Sequence, residues 1–174
     1  VLPYLINIMG PDLVIQTNIN LSIQLPDDRS SILPAHSDCI SSDSPFQFNL
    51  WIPLTKSYKT NSMFLLSKEK SLSLINDALK SEYRNILSVY TPSDEEFIEM
   101  NPGEYLLFQP SVIHGNVLNK TSKTRVSLNV RIKSIFTPES LNNNQDRNFG
   151  TYYKLFNLSA STKYSIKISD LFNR

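Results

Sequence analysis

Between Thr124 and Ile132 the side chains alternate without a break. Arg125, Ser127, Asn129 and Arg131 fall on one face of an extended chain, and Val126, Leu128, Val130 and Ile132 on the other. Such a segment is satisfied by a strand with one polar and one apolar side. Ile15 to Leu25 alternates in the same way and runs into the turn residues Pro26-Asp27-Asp28. Ile32 to Ile40 reads as a further strand, Phe46 to Ile52 as another ended by Pro53, and Met63 to Leu66 as a short one. Asn101-Pro102-Gly103-Glu104 is a turn signal ahead of a strand at Tyr105 to Phe108, and Val112 to Asn116 follows Pro110. Ser71 to about Leu87 has helical spacing in Leu72, Leu74, Ile75, Leu79 and Tyr83, which predicts a helix packed outside a sheet. Many short strands with one surface helix predict a mainly β protein, an antiparallel sandwich or barrel.

At 174 residues and 40% hydrophobic, the chain is long enough for one domain that buries on the order of 70% of its unfolded surface. Lys and Arg number 17 against 16 Asp and Glu, and basic runs are absent, so neither nucleic acid nor an acidic membrane surface is an expected partner. The apolar runs are far shorter than the roughly 18 residues of a membrane span. The single cysteine, Cys39, excludes an internal disulfide and a thiolate zinc site. With no signal-peptide pattern read at Val1-Leu2-Pro3, a cytoplasmic location is the expectation. A polar stretch, Asn142 to Asp146, reads as a loop before the aromatic-rich Tyr152 to Phe156 and Tyr164 to Phe172. The expected division is a core over residues 1–136 and a C-terminal appendage, 137–174, packed on it.

The chain has two histidines, His36 and His114, separated by 114 − 36 = 78 positions, and Asp38 lies two residues from the first. On a strand, residues i and i+2 point to the same face, so one strand would present His36 and Asp38 together. Two imidazoles and one carboxylate, with no thiolate and several coordination positions left open, suit a catalytic non-haem Fe(II). A His-x-Asp tripeptide by itself is more often incidental surface polarity. The distant histidine and the arginine-bearing strand turn the balance.

His36-x-Asp38, His114 and then Arg125-x-Ser127, at 125 − 114 = 11 residues beyond the second histidine, resemble the signature of Fe(II)/2-oxoglutarate-dependent oxygenases. Asn49 to Thr55 after the first ligand pair, and Gly103 to Phe108 before the second histidine, are similar to the phytanoyl-CoA-dioxygenase-like branch, and within it to small bacterial oxygenases found beside surface-carbohydrate genes. The likeness covers roughly residues 15 to 135. It departs from the pattern in lacking a long N-terminal region before the first core strand, and in having Lys59 to Met63 where a Gly-rich stretch is usual.

The resemblance implies a double-stranded β-helix, the cupin-like jelly roll, with flanking helices. It implies His36, Asp38 and His114 as ligands of Fe(II), with 2-oxoglutarate as co-substrate, dioxygen as oxidant and a small molecule as prime substrate. A sugar or nucleotide-sugar precursor of a surface polysaccharide is the substrate class it carries. Oxidative decarboxylation to succinate and CO2 would be coupled to hydroxylation. Asp38, where related halogenases have a small residue, favours hydroxylation over halogenation.

The remote carboxylate of the oxoacid needs a fixed cation, and the planar two-pronged donor set of arginine supplies it. Arg125 is the preferred anchor and Arg131 its rival on the same face, with Ser127 as a hydroxyl donor. Gln47 and Asn49 either line the pocket or face water. Trp51 shares their face and is expected as a core aromatic. Cys39 is expected to pack, and Lys56, Tyr58 and Lys59 to form a solvated face or a substrate-contacting loop. Two other classes remain open: a cupin-like metalloprotein without an oxoacid, against which the presence of two histidines counts, and a non-catalytic ligand-binding module on the same fold.

Overall fold

The computed structural model describes residues 1–40, 43–80, 87–138 and 147–172. Eight strands follow in chain order: β1 Leu13–Gln16, β2 Asn20–Gln24, β3 Phe48–Pro53, β4 Phe64–Leu65, β5 Leu106–Phe108, β6 His114–Gly115, β7 Arg125–Ser134 and β8 Tyr153–Asn157. Among the described residues three α-helices accompany them: α1 Leu2–Met9, α2 Lys68–Lys80 and α3 Ala160–Phe172. The larger sheet runs β5-β3-β7-β1-β8 with β2 also paired to β7, and β4-β6 form a second, two-stranded sheet; every strand pairing is antiparallel.

β7 is the organiser. It pairs with β3 along one edge and with β1 and β2 along the other. Its alternation sorts the layers as the sequence predicts. Val130 and Ile132 pack with Leu5, Leu13 and Leu50 under α1, forming an apolar cluster on the outer face. The opposite face carries Arg125, Ser127, Asn129 and Arg131. Trp51, Met63, Met100 and Phe108 make a second cluster, and Ala35, Phe64, Leu66 and Ile113 a third, against which Leu74 and Ile75 of α2 pack. Ser71 of α2 accepts the Ile113 amide through Oγ at 3.0 Å, which pins the helix to the chain just before His114.

The turn at Asn101-Pro102-Gly103-Glu104 forms as expected. Glu104 N–H donates to Asn101 O at 3.2 Å, and Gly103 has φ 97°, a value that proline before it and glycine at this position accommodate. The predicted helix begins at Lys68 rather than Ser71; its expected continuation through residues 81–86 lies outside the described residues, as does the expected loop at 142–146.

Two expectations are corrected. Ile15 to Leu25 is not one strand. Ile15 pairs with Ile132 and Asn20 with Asn129, so five residues on one side span three on β7 and two leave the ladder. An excursion of two preserves side-chain parity, which is why the alternation continues through the break. Ile32 to Ile40 is not a strand either: His36 makes an isolated bridge to His114, and a turn closes behind it through Ile40 N–H to Ser37 O at 3.0 Å. Pro34 and that turn leave room for one bridge and no ladder. Beyond residue 137, β8 pairs with β1 in the main sheet and Tyr153 is wholly buried. α1 was not anticipated at all.

Gly115 beside His114 sits where backbone approaches backbone. A Cβ there would lie 2.7 Å from Leu33 O and 2.9 Å from both Pro34 O and the Phe64 ring. Gly115→Ala is therefore expected to lower stability by about 1–3 kcal/mol through overpacking; urea unfolding with an unchanged midpoint would refute the close approach.

Candidate metal centre

The bridge that replaces the expected strand builds the site. His36 N–H donates to His114 O at 2.9 Å and His114 N–H to His36 O at 3.0 Å, which brings the two ring centroids to 4.3 Å. On its other side β6 is held by β4, with Leu65 opposite His114. Each imidazole Nδ1 lies 2.9 Å from a carbonyl oxygen, that of Pro34 for His36 and that of Val112 for His114. A carbonyl can only accept, so in the neutral ring Nδ1 carries the proton and Nε2 the lone pair. Both Nε2 atoms face the same carboxylate oxygen, Asp38 Oδ1, at 3.4 Å and 3.9 Å. One donor atom from each of His36, Asp38 and His114 falls within 4.8 Å of the others. Two neutral imidazoles and a carboxylate converging from one side fit a divalent first-row metal with open positions.

The second oxygen of Asp38 is occupied. Oδ2 accepts from Asn49 Nδ2 at 2.7 Å and from Arg131 Nη2 at 3.2 Å. Arg131 Nε reaches Asp43 Oδ2 at 3.0 Å, Gln47 Nε2 reaches the same oxygen at 3.1 Å, and Tyr153 donates its hydroxyl to Gln47. Arg147 Nε pairs with the other Asp43 oxygen at 3.1 Å. The orientation of Asp38 is thereby fixed, with Oδ1 left for a cation. Burial opposes ionisation of Asp38, but the His36 hydrogen bond and the Arg131 charge outweigh it and hold the carboxyl well below its usual range. Burial, assisted by the charge of His36, pushes His114 down to about 4. Burial also lowers His36, yet the Asp38 hydrogen bond, the Pro34 carbonyl and the Asp38 charge together raise it.

A cavity of about 170 Å3 opens in front of the triad, between the two sheets, with Trp51, Met63, Asn116, Arg125, Asn129 and Arg131 among its walls. Arg125 is 2% exposed. Its Nε and Nη2 donate to Gln24 Oε1 at 3.3 Å and 3.1 Å, and its Nη1 to Ser127 Oγ. Trp51 Nε1 also donates to Ser127 Oγ, at 3.1 Å, so the hydroxyl already accepts twice and its own proton is left to give. No carboxylate among the described residues pairs with Arg125, and burial alone lowers its pKa to about 10. A buried guanidinium without a counter-charge costs free energy unless an anion joins it.

The structure thus brings together His36, Asp38 and His114, with Arg125 on the cavity that the two histidines line and Ser127 hydrogen-bonded to that arginine. Gln47 and Asn49 are buried behind Asp38, in its support, and neither is among the cavity walls. Arg131 is committed to Asp38 and Asp43. Trp51 is both core and cavity wall. Cys39 is half-buried. Lys56 pairs with Glu99 at 3.4 Å and, with Tyr58, borders a different surface cavity.

Several contributors escaped the sequence reading. Asn116 accepts the Leu33 amide at 2.6 Å and donates to Ser31 O at 3.0 Å, which holds the chain before His36 against the chain after His114. Gln24 and Asp43 were missed too, although Gln24 continues the polar positions Asn20 and Ser22 of the alternating segment.

No family model matches this sequence, and no curated protein matches it either. Among solved structures, a non-heme monooxygenase, ThoJ in complex with nickel, superposes with a TM-score of 0.59 at 14% identity, covering 91% of this chain and 56% of that one. Its apo form gives 0.60 with the same identity, over 92% and 58%. SnoN, a non-heme alpha-ketoglutarate-dependent epimerase from nogalamycin biosynthesis, gives 0.50 at 14% identity, over 72% and 48%. The chain has the fold of these non-haem enzymes. It spans little more than half the length of ThoJ.

Among the described residues, Arg131 is the one cation shared by Asp38 and Asp43, both about 3% exposed. Arg131→Met is expected to cost the metal-free protein about 3–5 kcal/mol, the scale for stranding a buried partner. A loss below about 1 kcal/mol in urea unfolding would show that solvent already screens these pairs.

Proposed function

We propose that the chain is the catalytic body of an Fe(II)- and 2-oxoglutarate-dependent oxygenase that hydroxylates a small molecule. The observation that carries this reading is the coexistence, on one cavity, of a three-donor metal site and an uncompensated buried guanidinium. A metal site alone would need no cation nearby. A dicarboxylic co-substrate needs both, one end chelated and the other paired.

In this reading His36, Asp38 and His114 hold the metal, which supplies the reductive activation of dioxygen. Arg125 pairs with the distal carboxylate of the oxoacid while Ser127 gives it the proton left over from its two accepted bonds. Trp51 and Gln24 keep those two groups oriented. Asn49 and Arg131 keep Asp38 from turning its second oxygen towards the metal. Trp51 and Met63 give the cavity an apolar wall, and Phe108 packs with them and edge-on to the His114 ring. A carboxylate at position 38 favours hydroxylation. A sugar or nucleotide sugar stays the substrate class that the sequence resemblance carries.

Fe(II) followed by 2-oxoglutarate, added anaerobically to metal-free protein, is expected to produce the visible metal-to-ligand charge-transfer band of a chelated oxoacid. His36→Ala or His114→Ala should abolish it. Iron bound without a band would favour the cupin-like reading, and no metal binding would favour a non-catalytic module. Arg125→Ala should keep the metal and weaken the oxoacid by about 1.5–3 kcal/mol; unchanged oxoacid affinity in a titration of the band would remove Arg125 from the assignment.

Metal binding is also expected to be coupled to one proton. Near pH 6, His36, whose pKa is raised above 6.5, is largely protonated, whereas His114, lowered to about 4, is neutral and Asp38 is ionised. Affinity for the metal should therefore rise with pH until His36 has lost its proton and then level off. Calorimetry in buffers of different ionisation enthalpy should count close to one proton released; two would mean that His114 is charged.

A further inference from the structure

Beside the metal cavity lies a second, larger one of about 340 Å3, and the two share Asn20 and Arg131 as walls. Its other walls are polar. Gln16, Thr17 and Asn18 come from the chain leaving β1, and Arg147 and Tyr152 from the segment entering β8. Thr17 N–H donates to Tyr152 O at 2.8 Å, which ties the two rims together.

Two guanidinium groups stand in this cleft already held in place. Arg131 is fixed by Asp38 and Asp43. Arg147 is fixed by Asp43 and by the Tyr152 ring, whose centroid is 4.3 Å from the guanidinium carbon. These ion pairs use Nε and Nη2 of Arg131 and Nε of Arg147. Nη1 of Arg131 and both terminal nitrogens of Arg147 stand outside them. Without a metal, Asp38 and Asp43 balance the two cations. Asp43 is shared by both cations, and Asp38 turns its free oxygen to the metal site, so a divalent ion there claims its charge. Among the described residues the cleft is then left with more guanidinium than carboxylate.

We propose that this cleft binds the prime substrate through an oxyanion, a phosphate or a carboxylate, with Arg147 and Arg131 as its donors, and passes the rest of the molecule to the metal cavity at the Asn20–Arg131 junction. Calling the ligand a substrate rests on the oxygenase reading; the anion site does not. Arg147 is then the specificity-determining residue, supplied from the segment before β8.

The test titrates inorganic phosphate, and separately acetate, into the full chain at constant ionic strength, with and without Zn(II), by calorimetry and, for phosphate, 31P line width. At least one anion is expected to bind saturably. Arg147→Gln should weaken it by about tenfold, the equivalent of about 1.4 kcal/mol, with partial recovery in Arg147→Lys. Arg125→Gln should change it less than about twofold. Which anion binds separates a phosphate from a carboxylate ligand. Absence of saturable binding of either anion, equal affinity in Arg147→Gln, or loss in Arg125→Gln instead would overturn the proposal. Failure of the oxygenase reading shows elsewhere, as a missing charge-transfer band in a protein that still binds the anion.

Discussion

Everything chemical in this protein hangs on two backbone hydrogen bonds, those exchanged between His36 and His114. Side chains 78 positions apart converge because their own peptide groups pair, so the distance between the imidazoles is set by backbone geometry and not by side-chain packing. Pro34 and Val112 then fix the ring tautomers through their carbonyl oxygens, each two residues before the histidine it serves. Gly115 permits the approach, and Asn116 repeats the linkage one step further along by capturing the Ser31–Leu33 segment. A donor set built this way is positioned by the backbone itself, so a metal would meet little ordering cost there.

Electrostatics divide the interior in two. On one side of the triad, Asp38, Asp43, Arg131 and Arg147 form a chain in which each carboxylate meets at least one guanidinium. On the other side, among the described residues, Arg125 meets only neutral oxygens, those of Gln24 and Ser127. The two arginines lie on the same face of β7, and its alternation alone does not tell them apart. Their partners set them apart: Arg131 holds Asp38 and Asp43 in place, and Arg125, surrounded by amide and hydroxyl oxygens, has no carboxylate partner among the described residues.

That contrast explains which parts were legible. The faces of β7, the turn at Gly103 and the type of α2 follow from local periodicity and turn chemistry, which a sequence carries directly. The triad was legible because histidine is scarce here and because ligand chemistry limits which residues can meet. Its support was not. Asp43 lies in no periodic segment, Arg147 follows a long polar stretch, and Tyr153 sits in a tail whose strand character depends on pairing with β1, more than 130 residues away. The missed break at residues 17 to 19 has another cause, since an excursion of two residues leaves parity, and so the hydrophobic pattern, intact. Residues 32 to 40 alternate too, but a proline and a turn allow only one bridge, and only the position of His114 selects where it falls.

Stability and chemistry are consequently placed on opposite faces of the same strands. The cluster of Leu5, Leu13, Leu50, Val130 and Ile132 lies outside the large sheet under α1, while Ala35, Phe64, Leu66 and Ile113 lie behind the small sheet under α2. The inner face of β7 is given over to arginine, serine and asparagine, which no apolar core would accept without partners. A sheet can tolerate such an interior because its outer layer supplies apolar burial independently. The arrangement also constrains change. Outer-face substitutions alter the free energy of folding and leave the donor geometry alone, whereas inner-face substitutions strand a partner and alter both at once. β7 carries the two kinds of residue in strict alternation, and a shift of its register by one position would exchange core for site along its whole length.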